Sequence, residues 1–201
     1  GAHNQRCLIS AKVKTNELMW IEDLAKILED AASHPVYAVL KRPDEKFVTE
    51  HAYHGNSVAV SQLSPEELAP GLQEDWVATV PAPNVYSGPF RADDRRSAEI
   101  GERYAACLDE AISTLAARGH RPAGFIVDTI YTSDGIMTAP DGYLAGAWRR
   151  VREAGGLCIA DEVQAGFGRT GSSMWGFQQQ GVVPDIVTLG KPIGNGHPLA
   201  A

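Results

Sequence analysis

Leu157-Cys-Ile-Ala-Asp-Glu-Val-Gln164 and Asp185-Ile-Val-Thr-Leu-Gly-Lys191 are the two stretches that decide the fold. Each is an apolar run that ends in charge: the first runs into Asp161 and Glu162, the second into Lys191. The runs are continuous rather than alternating, which is how a strand reads when both faces of its sheet are covered. Asp161 and Lys191 stand 30 residues apart, about the length of one strand–helix–strand unit (~30 residues). In an open parallel sheet, ligands sit at the carboxyl ends of the strands. If these two strands are neighbours, both side chains enter the same crevice. The spacing also fits a plainer reading, in which Asp161 caps the turn that follows and Lys191 is solvated.

Outward from this pair the same grammar repeats. Gly124-Phe-Ile-Val-Asp128 is a further apolar run closed by an acid. Phe47 to Glu50 and Trp76 to Val80 are two more strands, the latter stopped by Pro81 and Pro83. Ser97 to Arg118 predicts the clearest helix, with Ile100, Tyr104, Leu108, Ala111, Ile112 and Leu115 on one face and Gly119 as terminator. Asp141 to Ala154 predicts another, ended by Gly155-Gly156. Asn84 to Arg96 reads as loop, and its Asp93-Asp94-Arg95-Arg96 cluster as a solvated patch. Near the start, Arg6 to Ser10 reads as a short strand. Asn16 to Ala32 reads as a helix with Thr15 as its cap. Strands separated by helices make this an α/β fold, with a mostly parallel β-sheet of about five strands covered by helices. Trp20, Trp148 and Trp175 are expected in the core.

With 201 residues, 44% hydrophobic and 21% charged, the chain can bury a substantial core as one domain. A net charge of -7 argues against nucleic acid and anionic membrane as partners. No run approaches the ~18 apolar residues of a membrane span. Cys7, Cys107 and Cys158 are odd in number and widely spaced, which predicts reduced thiols and a cytoplasmic protein. His51 and His54 lack metal-ligand spacing, so no metal site is expected. Gly166-Phe-Gly-Arg-Thr-Gly171 spells G-x-G-x-x-G, but it does not follow directly on a strand, and Asp185 opens the next strand instead of closing it. That context argues against a dinucleotide site. Tyr53-His54-Gly55 follows a strand, so its ring is either an ordinary loop aromatic or a platform for a flat heterocycle.

An acid and a lysine at successive strand ends are what pyridoxal phosphate chemistry needs. The lysine holds the cofactor as a Schiff base, and the acid keeps its pyridine nitrogen protonated. The run Ala160-Asp-Glu-Val-Gln-Ala-Gly-Phe-Gly-Arg-Thr-Gly171, then Met174-Trp-Gly-Phe177, Pro184-Asp-Ile-Val187 and Leu189-Gly-Lys191, resembles the class III pyridoxal-phosphate-dependent aminotransferases of fold type I. His51-Ala-Tyr-His-Gly-Asn56 resembles the family's Tyr/Phe-His-Gly element, in the family's order. The likeness covers Phe47 to Ala201, the central part of the large domain. Residues 46–201 are therefore expected as a partial large domain, and residues 1–45 as a divergent segment packing on it.

The resemblance implies roles. Lys191 bears the cofactor, pyridoxal 5'-phosphate, and moves the proton between substrate and cofactor carbons. Asp161 pairs with the pyridinium nitrogen, Gln164 meets the phenolic oxygen, and Tyr53 and Val163 flank the ring. His54 and Gly55 belong to the cofactor-binding element. It also implies transfer of an amino group between an amine or amino acid and a 2-oxo acid, and a homodimer. The implied strand order makes the five visible strands contiguous and leaves the last edge, Ile186 to Leu189, exposed.

The departures are specific. Asp128 stands where the family commonly has Glu. Where a Gly-Ser/Thr phosphate cup should open a helix, the chain has Ala11-Lys-Val-Lys-Thr-Asn-Glu-Leu18, and side chains at Lys12 and Val13 would keep the backbone off a phosphate. The family's last large-domain strand and its small domain are expected to be missing from this chain. The isolated chain is thus expected to have little transaminase activity. Two alternatives stand beside the first reading: a phospho-lyase using the same cofactor, and a catalytically dead fragment serving as a binding or assembly module.

Overall fold

The computed structural model describes residues 45–69, 71–92 and 97–201. The strand expected at Arg6 to Ser10, the helix at Asn16 to Ala32 with its Thr15 cap, Trp20, Cys7 and the Asp93 to Arg96 cluster lie outside the described residues.

Each apolar run forms a strand: β1 (Glu45–Thr49), β2 (Val77–Val80), β3 (Pro122–Asp128), β4 (Leu157–Asp161) and β5 (Ile186–Thr188). All pair in parallel in the order β2-β1-β3-β4-β5, the contiguous order that the resemblance implied. Among the described residues three α-helices occur: a single turn, α1 (Val58–Ser61), and the two long ones, α2 (Ser97–Ala117) and α3 (Tyr143–Glu153).

Two apolar faces explain why the strands read as continuous runs. Phe47, Phe125, Val127, Cys158 and Ala160 point to one side, where the stripe of α2 (Tyr104, Leu108, Leu115) and that of α3 (Leu144, Trp148, Val151) cover them. Val48, Val77, Ile126 and Ile159 point to the other, and Ala52 and Leu63 pack there. Each large side chain so buried contributes about 1.5–3 kcal/mol. Trp148 is core, as expected, and Trp175 packs against it half-buried. Cys158 is buried, Cys107 is half-buried, and both are free thiols.

The seam between α2 and α3 is tight. A Cβ on Gly101 would lie 2.1 Å from the Asp141 carbonyl oxygen, and one on Gly146 would lie 2.9 Å from the Ala105 methyl. Arg150 closes the seam, donating to Glu102 at 2.7 Å and to Asp109 at 3.0 Å. Its hydrogen bond to Glu102 holds that carboxyl below its ordinary range.

β5 is the last strand of the sheet, as the resemblance implied, and the chain pairs with itself just beyond it. Leu189 and Ala201 exchange both backbone hydrogen bonds, at 2.6 and 3.0 Å, as opposed residues of an antiparallel pair do. The chain doubles back through a 3₁₀ turn at Lys191–Gly194, then Asn195 and Gly196 at φ 44° and 94°. Such short turns carry no periodic signal, which is why α1 and the 3₁₀ turns at Pro65–Glu67 and Gly176–Gln180 were not legible.

Candidate active site

The strand registers align the charged ends. Asp128 pairs with Asp161, and Asp161 pairs with Thr188. Asp161 thus closes β4 while Lys191 stands three residues beyond Thr188 on the adjoining strand, so the neighbour condition is met. Lys191 opens its 3₁₀ turn at φ 43°, a left-handed conformation that costs a non-glycine residue energy and recurs at functional sites. Before it, Gly190 is packed so that a Cβ would lie 3.3 Å from both Val163 methyls. Lys191 lines a cavity of about 500 Å³ together with Val163, Gln164, Thr132, Ile136 and Arg169. That volume is in the range of small-molecule sites. The facing wall is the loop after β3, bent by Tyr131 and Ile136 at φ 51° and 56°.

Asp161 does two things at once. Its Oδ1 accepts the Val163 amide at 3.2 Å, which is the turn cap of the plainer reading. Its Oδ2 lies 2.6 Å from Nδ1 of His54, which the plainer reading did not contain. Asp161 is 7% exposed and the His54 side chain 1%. A carboxylate only accepts, so the histidine proton sits on Nδ1. His54 Nε2 is buried with no hydrogen-bond partner among the described residues.

Ser64 builds the Tyr-His-Gly element. Its buried hydroxyl accepts the amides of His54 and Gly55 at 3.0 and 3.1 Å and donates to the Gly55 carbonyl at 2.7 Å. Gly55 has φ 139°, and a Cβ there would lie 3.1 Å from Val60 Cγ1, so only glycine fits. Tyr53 is 39% exposed. Tyr53, His54, Gly55 and Asp161 do not line the cavity that gathers Lys191, Gln164 and Val163. The Val163 amide, donating to Asp161 Oδ1, joins the two groups.

Sequence reasoning missed Ser64, Thr132 and Glu162. Glu162 has no exposed surface and accepts from Thr129 Oγ1 at 2.9 Å, Gly176 N at 2.7 Å and Phe177 N at 2.9 Å. It anchors the loop after β4 while Asp161, one residue earlier, serves the other side. The only available signal was that adjacent extended residues point oppositely. The Gly166 to Gly171 stretch is a loop, with Gly168 N bonded to Met174 O at 3.0 Å and only a 3₁₀ turn following at Gly176–Gln180. No helix opens there for a pyrophosphate.

The sequence model of the aminotransferase class-III family matches residues 33–201. The chain belongs to the class III aminotransferases. An alanine--glyoxylate aminotransferase 2-like protein of Drosophila melanogaster is 43% identical over 155 residues, covering 76% of this chain and 31% of that protein. The chain therefore spans about a third of that relative's length. Among solved structures, a phospholyase from Arthrobacter in complex with phosphoethanolamine is 36% identical, with a TM-score of 0.72, over 89% of this chain and 40% of that one. A taurine:2-oxoglutarate aminotransferase from Bifidobacterium kashiwanohense, in complex with PLP and glutamate, is 28% identical with a TM-score of 0.69, over 86% of this chain and 39% of that one. The family and these neighbours imply pyridoxal phosphate as the cofactor. Residues 1–57 match a second model, Type I GTP cyclohydrolase folE2. That stretch includes Ala11 to Leu18, where the class III resemblance implies a phosphate cup. Among the described residues no helix is long and apolar enough to cross a membrane.

Proposed function

We propose that this chain carries the cofactor-holding centre of an aminotransferase that moves an amino group between an amine or amino acid and a 2-oxo acid. The observation that carries this reading is the pairing of β4 with β5, which sets a buried Asp161 beside the strand whose end bears Lys191. The donor set fits pyridoxal phosphate: a carboxylate for its ring nitrogen, an amine for its carbonyl carbon, and an amide for its phenolic oxygen. When bound, the group supplies an electron sink at its protonated ring.

The chain's own residues would then act as follows. Lys191 Nζ anchors the group and carries a proton between carbon atoms. Asp161 holds the proton on the ring nitrogen. His54, donating from Nδ1, holds that carboxylate in its orientation. Val163 packs on one face of the ring, and Tyr53 covers the other. Gln164 meets the phenolic oxygen, and Gly55 lets the Tyr-His-Gly turn close. Residues 46–201 would form part of the large domain, and residues 1–45 a divergent segment. The association would be a homodimer and the compartment the cytoplasm, supported by the free thiols. A protein that sediments as a monomer at high concentration would contradict the dimer.

Similarity to the Arthrobacter phospholyase favours a second reading, elimination of phosphate from a phospho-amine. The two are separated by assaying the complete protein with pyridoxal phosphate. Loss of amine that requires an added 2-oxo acid supports transfer. Inorganic phosphate released from phosphoethanolamine without any oxo acid supports elimination.

A further inference from the structure

Asp128 stands where the family commonly has Glu, and the structure assigns it a task through a second residue. Its Oδ1 accepts the Ile130 amide at 3.0 Å, and its Oδ2 accepts the Thr132 amide at 2.9 Å together with the Thr132 hydroxyl. Nε2 of Gln164 lies 2.6 Å from Thr132 Oγ1. Asp128 therefore reaches Gln164 only by way of Thr132, a side chain 32 positions before Gln164 in sequence.

Proton accounting fixes the direction of this chain. A carboxylate accepts and cannot donate, while a hydroxyl has one proton and two lone pairs. The Thr132 proton goes to Asp128, so toward Gln164 the hydroxyl can only accept. An amide can satisfy that with its nitrogen but not with its oxygen. Without the carboxylate, the hydroxyl could serve either end of the carboxamide, and the two orientations would compete.

We propose that Asp128 and Thr132 are positioning residues that hold the Gln164 carboxamide one way round, nitrogen toward Thr132. One N–H is used by Thr132 and the other remains for an anionic oxygen in the cavity that Gln164 lines. This rests on the reading above, in which that oxygen is the phenolate of pyridoxal phosphate.

The test uses the Gln164 side-chain NH₂ signals in ¹⁵N spectra of the protein without cofactor, assigned by their loss in Gln164→Ala. In the parent, the two protons should be widely separated and slow to exchange with solvent. Thr132→Val should collapse the separation, Thr132→Ser should restore it, and Asp128→Asn should disturb it with Thr132 intact. An unchanged signal pair in both Thr132→Val and Asp128→Asn would overturn the proposal. With pyridoxal phosphate added, Thr132→Val should weaken binding about tenfold, the size of one charge-assisted hydrogen bond, and Thr132→Ser less than about twofold. A parent that binds no pyridoxal phosphate would sink the cofactor reading while the signal pair still decides the positioning.

Discussion

Glu162 is the residue on which the loop after β4 depends, one position after Asp161, the proposed partner of the cofactor ring. A carboxylate with no exposed surface and three donors on it leaves all three orphaned when it is removed. Each buried orphan costs about 1–3 kcal/mol, so Glu162→Ala should lose on the order of 4 kcal/mol in urea unfolding. Glu162→Gln, which keeps one acceptor, should lose less, and a Glu162→Ala protein within about 0.5 kcal/mol of the parent would contradict the assignment. Cys158 makes a second prediction. Burial pushes its thiol up to about 12. A raised thiol value means the neutral form persists, so at pH 8 only about one molecule in ten thousand carries the reactive thiolate. Alkylation mapped by mass spectrometry should therefore miss Cys158 in the folded protein and find it in denaturant. At this scale the sequence singled out Asp161 and Lys191, because strand-end charges stand out against apolar runs, and Gln164 came only from the family resemblance. The sequence hid the His54–Asp161 bond, whose partners are 107 residues apart, and nothing local to either residue announces the other.

Between elements, the decisive contact is the seam of α2 and α3. Gly101 is buried inside a regular helix, where alanine is normally worth about 1 kcal/mol more than glycine. Here a Cβ would overlap the Asp141 carbonyl oxygen at 2.1 Å, and that oxygen is backbone that cannot swing aside. Overpacking of this kind costs about 1–3 kcal/mol, so the clash outweighs the propensity. Gly101→Ala should lower the melting temperature by a few degrees, at about 2–4 °C per kcal/mol for a chain of this size; a higher melting temperature would mean the seam is looser than it looks. Elements of this length were legible because α2 repeats its apolar stripe over 21 residues. The four-residue turns were not, and two of them, α1 and the turn that opens at Lys191, shape the site.

For the molecule as a whole, the sheet order turns separate motifs into one centre. Parallel strands in the order β2-β1-β3-β4-β5 bring the ends of β3, β4 and β5 side by side, and with them Asp128, Asp161 and Lys191. That order follows from the family likeness, not from periodicity, which says nothing of which strand pairs with which. The pairing of Leu189 with Ala201, just beyond β5, was not legible either, since it depends on a return through Asn195 and Gly196. The central claim is that this row of strand ends holds pyridoxal phosphate through Lys191. Its most direct measurement is the absorption spectrum of the protein mixed with pyridoxal phosphate, beside Lys191→Ala, followed by borohydride reduction and peptide mass mapping. The expected result is a band near the visible edge that the variant lacks, and a cofactor mass fixed on the peptide containing Lys191. No band in the parent, or a fixed mass on another lysine, would contradict it.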